Sequence, residues 1–310
     1  MTSRRPPSVK YLKTETGNPK PEAQVSILLP FYHKNFEHEI RESLFSICQQ
    51  TLRSFEVVII IDGPLPQKLR YCVTEALDNA YRNRSDIRWK IIWISVNRGL
   101  ANALNDGLKH CSRDYVARFD ADDHSVAHRL TQQLSSARHL NLDLMSCDVR
   151  EKGNTSRREH TVRQCARSLE AARKMLWWKS PLNHPSTLFR KNLILLAGGF
   201  DASVPYHEDY LLWGRLLSKR DLRYKGSSQL LVAMHVDSAT LARRGGLRYA
   251  YWACQARLIL WREGHLKTWE LLAGLTVSVL FRCLPSRLRQ FITSNSLRSQ
   301  LKQHMAKSSS

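Results

Sequence analysis

The feature that most restricts this chain is a repeated alternation of short β-branched apolar runs with stretches of helical spacing. VSILLP at 25–30 precedes apolar residues at Ile40, Leu44, Phe45, Ile47 and Cys48, a helical spacing over 39–51. FEVVIII at 55–61 follows and closes on Asp62-Gly63-Pro64. The same rhythm predicts a helix over 66–83, a strand at 89–95, a helix over 99–110, a strand at 114–119, a helix over 125–139 and a strand at 142–148. Strands that alternate with helices build a parallel, doubly wound sheet, and the near-continuous apolar runs are those of strands covered on both faces. The fold class is therefore α/β and Rossmann-like. Residues 1–22 are polar, basic and proline-containing, which reads as a flexible tail before the first strand.

In open sheets of this kind ligands sit beyond the carboxyl ends of the strands. Those positions hold Phe31-Tyr32-His33, Asp62, Asn97-Arg98-Gly99 and the run Asp120-Ala121-Asp122-Asp123. Three carboxylates within four residues repel one another unless a cation sits among them, so the last segment points to a divalent ion. Hard ions such as Mg²⁺ and Mn²⁺ take oxygen ligands, commonly one or two carboxylates completed by water and substrate phosphates. A plainer reading stands beside it: Asp122 or Asp123 caps the following helix, worth about 0.5–2 kcal/mol. Asp62-Gly63-Pro64 also reads as a turn, and Asn97-Arg98-Gly99 as a helix cap. Glu208-Asp209 opens a helix whose Leu212, Trp213, Leu216 and Leu217 form one apolar stripe, a placement the helix dipole alone would favour.

The alternation stops near 150. EKGNTSRREHTVRQ reads as an exposed loop or hairpin, and a second block containing NHPSTLFRK runs to about 240. Residues 241–310 read as basic amphipathic helices in which Arg, Lys, Trp and Phe interleave with Leu and Val. Such helices either lie in a membrane interface or pack on the preceding domain. The net charge of +21 calls for a polyanionic partner, whether phosphorylated substrate, anionic membrane or nucleic acid. No helix-turn-helix, zinc-finger or RNP-type sequence supports the nucleic-acid class. A nucleotidyltransferase, which also uses aspartates after a parallel strand, leaves Glu208-Asp209 unexplained. Seven cysteines without a C-x-x-C pair, no secretory h-region and no apolar run of ~20 residues fit a reducing, cytoplasmic setting without a spanning helix.

Taken together, VSILLPFYHK, SICQQTLRSFEVVIIIDGP, NRGLANALNDGL, YVARFDADDHSVAHRLTQQ, NHPSTLFRK and GGFDASVPYHEDYLLWGRL resemble, in order, the inverting family-two glycosyltransferases of the GT-A fold, bacterial surface-polysaccharide type. The resemblance covers about 24–240 and implies a transferase domain at 23–240 with a helical C-terminal extension at 241–310. It implies a nucleotide-sugar donor, UDP-linked for preference, and a lipid-linked or polysaccharide acceptor at the inner face of the cytoplasmic membrane. By the same resemblance Asp62 contacts the base, although the acidic residue that often precedes it is Ile61. Tyr32 and Arg98 flank the nucleotide, Asp120 lies near the ribose, and Asp122 holds Mg²⁺ or Mn²⁺ with His235 completing the shell. Asp209 matches the catalytic base, with Glu208 supporting it.

Overall fold

The computed structural model describes residues 8–11, 24–152, 161–236 and 245–284, which form two compact units. The first comprises the chain up to 143 together with 187–202; the second comprises 144–186 and the chain from 203 onward.

In the first unit the chain order is β1 (Ser8–Tyr11), β2 (Ser26–Tyr32), α1 (Glu37–Cys48), β3 (Glu56–Asp62), α2 (Gln67–Asn83), β4 (Arg88–Ile94), α3 (Leu100–His110), β5 (Tyr115–Arg118), β6 (His124–Ser125) and α4 (Arg129–His139). Strand β9 (Leu188–Arg190) and helix α6 (Lys191–Leu196) return to this unit later. Its strands run in the order β1-β4-β3-β2-β5-β9: β4, β3, β2 and β5 are parallel, while β1 and β9 pair antiparallel with β4 and β5. Every residue of β3 is buried, as a strand covered on both faces requires. Its two ends are acidic for different reasons. Glu56 is tied into the sheet by Ser26 Oγ, Lys90 Nζ and the Ser112 backbone N–H, whereas Asp62 stands at the carboxyl end. Helix α3 lies close over β2 and β3 because Gly107 has no side chain; a Cβ there would come within 2.6 Å of Ile60 Cγ1.

Two expectations change. Ser8–Tyr11, inside the stretch read as a flexible tail, pairs antiparallel with β4; residues 1–7 and 12–22 lie outside the described residues. The helix expected from 125 starts at Arg129, since residues 120–128 form a turn and the two-residue β6. Its N-cap is His128, without a side-chain cap bond. That removes the capping explanation for Asp122 and Asp123.

The second unit contains β7 (Leu144–Lys152), β8 (Thr161–Arg163), α5 (Leu169–Leu176), a 3₁₀ turn (His184–Ser186), α7 (Glu208–Leu217), β10 (Tyr224–His235), α8 (Gly246–Arg262) and α9 (Thr268–Cys283). Strand β10 pairs parallel with β7, and β8 pairs antiparallel with it, so the polar stretch after 150 is a hairpin whose residues 153–160 lie outside the described residues. The stripe Leu212, Trp213, Leu216 and Leu217 is fully buried. Gly214 lets α7 approach α8 closely, since a Cβ there would meet Leu260 Cδ2 at 2.6 Å.

Candidate active site

The acidic turn of the first unit follows β5 and rests on buried polar groups. Arg118, the last residue of β5, is fully buried and donates from Nη2 to Asp120 Oδ1 at 2.6 Å, and Nη1 reaches the Phe119 carbonyl. Ser43 of α1 donates to the Asp120 carbonyl at 3.0 Å. Arg129, also buried, donates to the Arg118 carbonyl at 2.7 Å and to Ser125 Oγ at 2.9 Å while lying 4.0 Å over the Phe119 ring. Gln50 donates to the Val126 carbonyl at 2.9 Å and accepts from the Leu130 N–H at 3.1 Å, fixing the exit of the turn. Such a network is worth most when satisfied throughout, because the low local dielectric strengthens each bond.

Asp122 projects from this turn and is exposed. Its carboxyl is nonetheless pushed up to about 7, first by the packed, poorly hydrated surroundings and next by the Asp120 carboxylate. A carboxylate raised in this way is one whose ionised form a cation would favour, and an all-oxygen donor set suits Mg²⁺ or Mn²⁺. Among the described residues no three His, Cys, Asp or Glu side chains gather as a ligand set. His235, the further ligand the resemblance implies, ends β10 in the second unit, half-buried and in register with Lys152. An ion at the turn would rely on one or two carboxylates plus water and phosphate.

Asp62 is buried, and each of its carboxylate oxygens accepts a backbone N–H at 2.9 Å, from Arg98 and from Gly99. Asn97 Nδ2 donates back to the Asp62 carbonyl at 2.9 Å. The cap expected at Asn97-Arg98-Gly99 is thus supplied in space by Asp62, at the amino end of α3. Burial raises the Asp62 carboxyl above its ordinary value against the opposing pull of those amides and of the Arg98 and His33 side chains. Gly63 makes the arrangement possible: its φ is +89°, and a Cβ would meet Asn97 N at 2.7 Å. Arg98, just before α3, pairs with Asp106 of that helix, and Tyr32, half-buried, donates its backbone N–H to Asn35 at 2.9 Å. Farther along α3, Asn105 bonds both the N–H (2.8 Å) and the carbonyl (2.7 Å) of Phe200, so NRGLANALNDGL and GGFD form one clamp.

In the second unit Glu208 and Asp209 occupy the first turn of α7, Glu208 buried and Asp209 half-buried, with Asp209 Oδ1 accepting the Tyr210 N–H at 2.7 Å. The chain enters through Tyr206, which holds a left-handed φ of +67° and stacks on Tyr249. Strain of this kind costs about 1–3 kcal/mol and collects at functional turns. His207, the N-cap, packs 5.0 Å from the Tyr249 ring; burial, with a smaller push from Arg257 and Arg282, lowers its pKa to about 4. Arg257 of α8 is buried beneath, donating to the carbonyls of Trp177, Trp178 and Ala253 at 3.0–3.1 Å and lying over Tyr210. Asn183 of NHPSTLFRK bonds the carbonyls of Cys147 and Arg163 at 2.9 Å, and His184 packs edge-on to Trp213.

Asp62 ends β3, Asp120 and Asp122 lie just beyond β5, and Glu208 and Asp209 open α7, so the acids of the first unit stand at strand ends as the strand-end argument anticipated. The supporting residues Arg118, Arg129, Gln50 and Arg257 were not singled out from sequence. For Arg118 a signal existed: an arginine inside an apolar strand requires a counter-charge, and Asp120 lies two residues on.

Residues 26–196 match the family model described as Glycosyl transferase family 2. The UDP-Gal:alpha-D-GlcNAc-diphosphoundecaprenol beta-1,3-galactosyltransferase of Escherichia coli is 28% identical over 268 residues, 86% of this chain and 94% of that protein. The amylovoran biosynthesis glycosyltransferase AmsE of Erwinia amylovora is 30% identical over 194 residues, 62% of this chain and 69% of its own. Among solved structures, the mannosyltransferase PcManGT of Pyrobaculum calidifontis in complex with GDP-Man and Mn2+ superposes with a TM-score of 0.53 at 18% identity, covering 93% of this chain and 84% of that one.

Proposed function

The chain belongs to glycosyl transferase family 2 and is a glycosyltransferase of GT-A fold, and on that premise we propose that it moves a sugar from a nucleoside diphosphate, UDP in our reading, to a lipid-linked or polysaccharide acceptor in bacterial cell-surface polysaccharide synthesis. The observation that carries this reading is the turn after β5, which presents Asp120 and Asp122 beyond a parallel sheet and caps no helix. The Escherichia coli relative, named for a UDP-Gal donor and a diphosphoundecaprenol-linked acceptor, supports both substrate classes. This reading puts the reaction in the cytoplasm, at the inner face of the membrane.

Each residue then has a role its chemistry allows. Asp120, held by Arg118, accepts from the ribose, and Asp122 would hold Mg²⁺ or Mn²⁺. The divalent ion, when bound, supplies Lewis-acid stabilisation of the charge on the leaving diphosphate. Asp62 fixes the 97–99 loop and keeps a second lone pair on each oxygen for a base N–H. Tyr32 and Arg98 flank the nucleotide. Asp209 removes the proton from the acceptor hydroxyl as that oxygen attacks the face opposite the leaving group, giving inversion, and Glu208 keeps Asp209 oriented. General-base assistance of this kind contributes about 10²–10⁴-fold. His207, neutral at pH 7, adds no competing cation to the first turn of α7.

The test is a screen of UDP-, GDP- and dTDP-sugars for metal-dependent hydrolysis and transfer. Asp122→Ala is expected to lose metal-dependent donor binding. Asp209→Ala is expected to keep donor binding while turnover falls by about 10²–10⁴-fold. Unchanged binding and turnover in both variants would remove these roles.

A further inference from the structure

Helix α9 carries an exposed face without charge. Trp269, Leu272, Thr276, Val279 and Leu280 recur at helical spacing on one side, and Leu272 and Leu280 are 60% and 65% exposed. The opposite side holds Leu271, Gly274 and Ser278, all buried, and a Cβ on Gly274 would come within 2.8 Å of Arg257 Nε. The helix is therefore seated by its small residues and turns its large apolar ones outward. Single exposed leucines are ordinary on a protein surface; an uncharged helical stripe is not.

An aromatic and basic cluster adjoins the stripe. Trp269 lies 6.2 Å from Trp177, which lies 6.4 Å from the exposed Trp178, and Trp261 Nε1 donates to Thr268 Oγ1 at 3.3 Å. Lys179 sits 4.7 Å over the Trp178 ring, and Arg262 and Lys267 are exposed near the start of α9. Tryptophans with a wet edge beside lysine or arginine are the residues that settle at the headgroup level of a bilayer. Across residues 238–310 the sequence has twelve Lys+Arg and two acidic residues, Glu263 and Glu270. Among the described residues no helix is long and apolar enough to cross a membrane, so the apolar face must be covered laterally.

We propose that the outer face of α9, with the Trp178–Trp261–Trp269 cluster beside it, docks on an anionic lipid bilayer and lies in its interface. The apolar stripe enters the headgroup boundary, and the basic residues around it meet anionic headgroups. This surface stands independently of the transferase assignment, since it uses none of the residues given catalytic or donor-binding roles.

Flotation of the full chain with vesicles tests it, comparing phosphatidylcholine alone with an equal mixture of phosphatidylcholine and phosphatidylglycerol. The chain is expected to float with the mixed vesicles and to remain below the neutral ones. Leu272→Glu/Leu280→Glu, two changes at exposed positions, is expected to weaken that binding by more than about tenfold with an unchanged circular dichroism spectrum and unchanged nucleotide-sugar hydrolysis. Should the double variant misfold, quenching of tryptophan fluorescence by brominated lipid in the wild type, reduced in Trp269→Leu, gives the same reading. Absence of flotation with mixed vesicles, undiminished binding of a folded double variant, or a dimer that the double variant dissolves would each overturn the proposal.

Discussion

Both acidic turns rest on a buried arginine, yet the two arginines act on different partners. In the first unit Arg118 binds Asp120 itself, so part of the motif's charge is answered inside the fold. In the second unit Arg257 gives its N–H groups to three carbonyls and supports the Glu208-Asp209 helix through Tyr210. The contrast matches the proposed labour. A carboxylate that positions a sugar hydroxyl works while bonded to a fixed cation, whereas the arginine of the second turn acts on the backbone and ring that seat the helix start.

Removing each support should separate the two cases. Arg257→Met is expected to have the largest effect: one buried and two partly buried carbonyls lose their donor at ~1–3 kcal/mol each, a loss of about 3–5 kcal/mol in denaturant unfolding. Turnover should fall more than donor affinity, because the helix start carrying Asp209 loosens. A variant that unfolds normally but loses donor binding would break the comparison.

Acidity probes the second turn alone. The folded chain keeps His207 neutral down to about pH 4, whereas the unfolded chain protonates it near 6.5. Folding stability from this group is therefore complete above about pH 6.5 and declines as the pH falls towards 4, by at most on the order of 3 kcal/mol. His207→Gln should flatten the stability profile between pH 7 and 5. An identical slope in the variant would show that His207 is not the group responsible.

Arg118→Met should cost about 2 kcal/mol, less than Arg257→Met, because Asp120 keeps some solvent contact once its partner is gone while the apolar side chain fills the buried site. Its signature is functional: donor affinity should drop with little change in turnover at saturating donor. Equal loss of stability in the two arginine variants would mean that Asp120 draws as much on Arg118 as three carbonyls draw on Arg257.

The sheet was legible in the sequence because its strands are long apolar runs with β-branched residues, and strand-end logic led directly to Asp62 and Asp120–Asp123. The start of α4 was not, since the exit of the turn from 120 to 128 is held by Gln50, whose bonds to Val126 and Leu130 cross 76 and 80 residues of sequence. Asp62 was legible as a strand-end acid but not as the cap of α3, a contact 36 residues away. Strand β1 escaped because an edge strand of four polar and mixed residues lacks the apolar signal that marked the others. Arg257 was invisible for a related reason: a buried arginine in a basic helix looks like every other exposed one until its carbonyl partners are known.

The smallest expected effect tests the rigid side of the comparison at its other aspartate. Gly63→Ala introduces a Cβ 2.7 Å from Asn97 N at a backbone φ of +89°, so the turn must open or the 97–99 loop must shift. Strain at such a position costs about 1–3 kcal/mol. If the first unit works by pre-set geometry, the shift should loosen Asp62 from the amides of Arg98 and Gly99, and nucleotide affinity should fall while the turnover of bound donor holds. Calorimetric titration with UDP measures the first quantity and saturation kinetics the second. Loss of turnover at unchanged UDP affinity would mean that the loop over α3 serves the chemical step, and the division between a fixed donor side and a catalytic second turn would have to be redrawn.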